Sequence, residues 1–189
     1  RKVIEQYPDS PYRAHTWFFL GQTYEALQRY AEAAEAYQQY LTLRPSMIDS
    51  YMHELRADIF VNMNDWTNAL SSYQEALKAE RAGSTLNLEV QLAKAYAQTG
   101  AHETAIVMFD DIFQRAELDT IKAQMLLLKG QSLLALERKD EAYAAFMDAV
   151  ENFPQAYDSY TALVTLVNSN VPVNELSRGI VDYYAGEYG

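Results

Sequence analysis

Along most of this chain apolar residues recur at spacings of three and four, the period of an α-helix rather than the alternation of a strand. Leu20, Tyr24 and Leu27 form one such stripe, and Ala69, Leu70, Tyr73 and Leu77 form another. Short triplets interrupt the stripes: Gln28-Arg29-Tyr30, Asn64-Asp65-Trp66, Gly100-Ala101-His102 and Glu137-Arg138-Lys139. The pattern predicts pairs of antiparallel helices of about a dozen residues, with the triplets as their turns. Gly100 suits a helix end in the left-handed conformation, which costs glycine nothing sterically. Asn64-Asp65 can stop one helix and cap the next. Pro45 and Pro154 are placed to close the second helix of the first and fourth pairs, since proline cannot continue a helix.

The pairs repeat in phase. A small residue recurs as Gly21, Ala57, Ala93 and Gly130, and a bulky one as Tyr24, Phe60, Tyr96 and Leu133. An alanine recurs as Ala33, Ala69, Ala105 and Ala142, and an aromatic as Tyr37, Tyr73, Phe109 and Phe146. Each series steps by 36, 36 and 37 residues, while small residue and alanine always stand twelve apart. The hairpin is therefore constant, and length varies between hairpins. Two helices approach closely only where small side chains meet, which explains the Gly/Ala series; the aromatics fill the space beside them. The order Gly21, Tyr24, Ala33, Tyr37, Pro45 resembles the tetratricopeptide repeat, whose usual period is about 34. The resemblance implies an all-α fold of tandem antiparallel helix-turn-helix repeats wound into a right-handed superhelix, an α-solenoid. The repeats fall at about 14–47, 50–83, 86–119 and 123–156 of a single array.

The ends fit less well. Residues 1–11, with Pro8 in the role of Pro45, read as the tail of a preceding second helix. Residues 155–167 read as an irregular helix with Tyr160, Leu163, Val164 and Val167 on one face. A last helix follows Pro172. It is either the second helix of a fifth repeat, with Leu176 and Ile180 in the alanine and aromatic places, or the first helix of a further one. The preferred register is the second, with Gly179 as the small residue and Gly186-Glu187-Tyr188 as the turn. In either register the array is expected to continue past Gly189.

Composition narrows the chemistry. The chain has no cysteine, which excludes disulfides, thiolate zinc sites and a cysteine nucleophile. The formal net charge is −11, with the excess of acids confined to residues 46–189, and such a surface repels nucleic acid and anionic membranes. No apolar run approaches the ~20 residues that cross a bilayer. His15, His53 and His102 share no metal-ligand spacing. Asp110-Asp111 and Asp140-Glu141 are helix neighbours whose side chains point about 100° apart, the mark of a solvated face. There is no glycine-rich phosphate loop and no Ser-His-Asp constellation. Neither enzymatic activity nor a cofactor is expected within these residues.

Binding remains. In proteins of the resembled family the first helix of each pair lines a concave groove that holds partners. By position the first repeat would present His15, Phe18, Gln22 and Glu25, and the second Tyr51, Glu54, Leu55 and Asp58. The third would present Asn87, Gln91, Lys94 and Gln98, and the fourth Gln124, Leu127, Leu128 and Gln131. Family members that hold acidic chaperone tails use a Lys/Arg/Asn clamp; here those places hold Phe18, Gln22, Leu55, Asn87 and Gln91, so that function is rejected. An amide-rich groove suits an extended peptide, or alternatively a cell-wall glycan. The expected function is a non-catalytic protein-interaction scaffold. The alternative is the helical arm of a bacterial cell-wall enzyme, because Tyr7–Tyr12 and Gly179–Gly186 resemble phrases of bacterial envelope repeat proteins and lytic-transglycosylase arms. That resemblance implies an extracytoplasmic setting. Self-association through an exposed repeat edge is a third expectation.

Overall fold

The computed structural model describes residues 2–7, 9–43 and 48–187, with side chains from Ile4 onward. The expectations for Pro8, Pro45 and Tyr188 lie outside the described residues. Among those described there are eleven helices and no strand. They are α1 (Lys2–Gln6), α2 (Arg13–Ala26), α3 (Tyr30–Leu43), α4 (Asp49–Asn62), α5 (Trp66–Lys78) and α6 (Leu86–Gln98), then α7 (His102–Arg115), α8 (Asp119–Ala135), α9 (Lys139–Asn152), α10 (Tyr157–Asn168) and α11 (Glu175–Ala185). The chain forms two compact units, residues 1–95 and 96–189, with the border inside α6.

The turns explain why the hairpins close. Gln28, Asn64, Gly100 and Glu137 all adopt positive φ, between 56° and 85°. The amide after each donates to the carbonyl five residues back: Arg29 to Tyr24 at 2.8 Å, Asp65 to Phe60 at 2.8 Å, Ala101 to Tyr96 at 2.9 Å and Arg138 to Leu133 at 2.9 Å. This closure satisfies carbonyls that a helix end leaves orphaned. The acceptors are the recurrent bulky residues, so one position anchors both packing and turn. Asp65 also caps α5, its Oδ1 accepting from the Asn68 amide at 3.2 Å.

In the first unit α2 packs on α3, α3 on α4, and α4 on α5. Gly21 lies against the Tyr37 ring so closely that an alanine Cβ would stand 2.6 Å from Cδ1. In the second unit α7 packs on α8, α8 on α9, and α10 on both α8 and α9. Gly130 meets Phe146 as Gly21 meets Tyr37, and an alanine Cβ there would again stand 2.6 Å from Cδ1. The alanine series is fully buried, at 0% exposure in all four members. One apolar cluster there joins Ile106, Leu126, Leu133, Phe146, Leu163 and Val181.

The stretch 155–167, expected as an irregular helix, is observed as the continuous helix α10, Tyr157–Asn168. It ends in the same turn as the first helices of the pairs: Asn170 has φ 57°, and Val171 donates to Leu166 at 3.0 Å. Leu163 thereby stands where the other repeats carry Gly or Ala. Helix α11 ends on Gly186 at φ 83°, with Glu187 donating to Asp182 at 2.9 Å. Gly179, read as its small residue, packs against nothing: a Cβ there has no neighbour within 4 Å.

Candidate functional site

The expected groove residues divide into two groups. Several of the larger and charged ones are engaged inside their own unit. The Phe18 ring lies 6.4 Å from Tyr37 and 6.1 Å from Tyr40, so it packs on the second helix of its hairpin. Glu25 accepts the Tyr37 hydroxyl at 2.8 Å. Asp58 accepts the Tyr73 hydroxyl at 2.6 Å. Burial raises the Asp58 carboxyl above its ordinary range, opposed by the Tyr73 hydrogen bond, and burial together with these carboxylates pushes both phenols far up.

Tyr51 and Glu54 hold the connector between α5 and α6. The Tyr51 hydroxyl donates to the Ala82 carbonyl at 2.7 Å. The Arg81 guanidinium stacks 4.0 Å above the Tyr51 ring and donates to Glu54 at 2.5 Å and to Ser50 at 3.3 Å. This lock is not visible in the sequence, where residues 79–85 show no periodic signal. Leu127, read from the sequence as a groove residue, is only 6% exposed and belongs to the core of the second unit.

The second group is polar and outward. Gln22 on α2, Asn87, Gln91 and Gln98 on α6, and Gln131 on α8 are exposed and make no hydrogen bond to the described residues. His15 is exposed beside Tyr12, with ring centroids 6.3 Å apart. Lys94 and Gln124 are half-buried. Gln22, Asn87, Gln91 and Lys94 belong to the first unit, and Gln98, Gln124 and Gln131 to the second.

Among the described residues no three His, Asp or Glu side chains are grouped to hold a metal ion. No described helix is long and apolar enough to cross a membrane.

Three stretches, 14–46, 55–116 and 123–155, match the tetratricopeptide repeat and together span most of the chain. The chain belongs to the tetratricopeptide repeat family. As a TPR protein it is a repeat scaffold, of a family that typically is non-catalytic and generally mediates protein–protein interaction. Among solved structures it is similar to that of MamA, at a TM-score of 0.59, with 19% identity over 79% of this chain and 82% of that one. At that identity the likeness is one of fold. No curated protein matches this TPR chain.

Proposed function

We propose that the TPR scaffold holds an extended peptide segment of a protein partner on the first-helix face of each unit. The observation that carries this reading is the set of exposed amides, Gln22, Asn87, Gln91, Gln98 and Gln131, none of which is engaged within the described structure. A primary amide both donates and accepts, so it can pair with the N–H and C=O of an extended backbone. The charged and aromatic neighbours are already partnered, which leaves backbone recognition as the main polar resource of this face.

The test is selection of a random peptide library on the immobilised chain, followed by affinity measurement on variants. Gln22→Ala with Gln91→Ala in the first unit, and Gln131→Ala in the second, should weaken a selected peptide about tenfold. Their far-UV circular dichroism should be unchanged. Retention of cell-wall glycan strands with no peptide enrichment would sink the reading.

A further inference from the structure

The first-helix face of the first unit is not uniform. Repeat register places Phe19, Leu55 and Gln91 in one row across α2, α4 and α6, and Tyr12, Ile48 and Ser84 in a second row at the starts of the same helices. On α2 and α4 both rows are apolar, and on α6 both are polar. The apolar members stay open: Phe19 is 62% exposed and Ile48 42%, while Tyr51 keeps 37% although Arg81 covers one face of its ring. Leu55 is half-buried. Ile48, Tyr51 and Leu55 stand between α2 and α6 in chain order, so this openness belongs to a repeat with neighbours on both sides. Helices α2 and α4 both pack on α3, which sets the two apolar stripes side by side. Clustered apolar side chains left in water mark a place where something binds.

The charge beside this patch says what binds there. Glu25 stands six residues past Phe19 on α2, and Asp58 three past Leu55 on α4. Those offsets carry the two carboxylates about 9 and 4.5 Å further along their helices. Each is held through one oxygen: Glu25 Oε2 accepts the Tyr37 hydroxyl at 2.8 Å, and Asp58 Oδ1 accepts that of Tyr73 at 2.6 Å. Among the described residues Oε1 of Glu25 and Oδ2 of Asp58 accept no hydrogen bond. Phenols are neutral donors, so neither negative charge is cancelled, whereas that of Glu54 is met by Arg81 at 2.5 Å. The carboxylates feel one another, since Glu54 and Glu25 both disfavour the ionised form of Asp58. At the place of Asp58 helix α6 carries Lys94. The face therefore runs from apolar and acidic on α2 and α4 to amide-rich and basic on α6.

We infer that the first unit selects a peptide with a large apolar side chain and, two residues away, a lysine or arginine. The apolar group rests on Phe19 and Leu55, and the cation reaches the open oxygens of Glu25 and Asp58. Side chains two apart on an extended strand point to one side about 6.6 Å from each other, between the two helix offsets. An acid in the second place meets repulsion instead. This selectivity rests on the extended-peptide reading and adds the class of sequence to it.

Two display libraries test it on the full chain, one built around a leucine-x-lysine core and the other around leucine-x-glutamate, both in random flanks. The lysine library should yield about tenfold more binders. Enriched peptides are then measured by fluorescence anisotropy. Phe19→Gln with Leu55→Gln gives both places the residue type of Gln91, which the third repeat already accommodates. The pair should weaken lysine peptides about tenfold with circular dichroism unchanged. Glu25→Gln, whose amide oxygen still accepts the Tyr37 hydroxyl, should cost about two- to fivefold, and nothing once norleucine replaces the peptide lysine. Equal yields from the two libraries would overturn the inference and leave the extended-peptide reading standing. So would affinities indifferent to Phe19→Gln with Leu55→Gln, or an equal loss from Glu25→Gln with lysine and norleucine peptides. Enrichment from neither library would overturn both readings.

Discussion

Replacing Gly130 by alanine adds one methyl group to α8 at the point where the Phe146 ring lies against the helix. The new carbon would stand 2.6 Å from Cδ1, closer than packed carbon atoms approach. The ring cannot swing aside, because Phe146 is fully buried in the second unit. Overpacking of this kind costs about 3 kcal/mol at the upper end of its range. Alanine returns about 1 kcal/mol through its better helix propensity. The net loss is about 2 kcal/mol, or a melting temperature lower by roughly 4–8 °C for a chain of this size. The control is Gly179→Ala in α11, where the added Cβ meets nothing and the same propensity gain acts alone. That variant should be stabilised by about 0.5–1 kcal/mol. Repeat proteins do not always unfold in one step, so urea titration should be paired with hydrogen exchange of the α8 and α9 amides. Faster exchange there, with Phe146→Leu restoring protection to Gly130→Ala, supports the steric account. If both glycine variants raise stability alike, close helix approach at Gly130 is not what selects glycine.

Tyr73→Phe strips the half-buried Asp58 carboxylate of its hydroxyl donor and should cost about 1–3 kcal/mol in urea unfolding. Burial raises the Asp58 carboxyl, so the folded chain binds this proton more readily than the unfolded one. The Asp58 contribution is therefore unfavourable above the folded value and is relieved as pH falls toward the ordinary carboxylate range; Asp58→Asn should flatten that part of the stability–pH curve. Glu137→Gly places at φ 60° the residue type that Gly100 supplies in the third hairpin and should add about 1 kcal/mol, seen as a higher denaturation midpoint. Arg81→Ala removes the stack on Tyr51 and the bonds to Glu54 and Ser50, and amides 79–85 should then exchange at least tenfold faster.

The hairpins are legible in the sequence because packing imposes residue type at fixed places. Gly21 opposite Tyr37 and Gly130 opposite Phe146 leave no room for a Cβ, and a twelve-residue spacing follows directly from two helices joined by one turn. The turns are legible in position but not in closure. Only the backbone shows that Gln28 and Glu137, neither a favoured left-handed residue, adopt the conformation of Gly100. The groove is the least legible part. Helical phase places Phe18, Tyr51 and Glu54 correctly on the first helices, but their partners come from Tyr40 and from the aperiodic connector at Arg81. Leu127 reads as a groove residue only while α10 is taken for an irregular helix outside the repeat pattern; that helix, whose Leu163 shares its cluster, carries leucine where the repeat signature has Gly or Ala.

The contacts that close each hairpin are near in sequence. Tyr37 reaches Glu25 across twelve residues, and Phe146 meets Gly130 across sixteen. The entropy of closing such short loops is small and grows only slowly with length, and chains rich in near-neighbour contacts fold in microseconds to milliseconds. Each hairpin can thus form as soon as its own forty or so residues exist, before the rest of the polypeptide has been synthesised. A ribosome would release this chain hairpin by hairpin, and apolar residues such as Ile106, Leu126 and Leu163, which share one cluster across several helices, would gain their cover only as each following hairpin docks on the last.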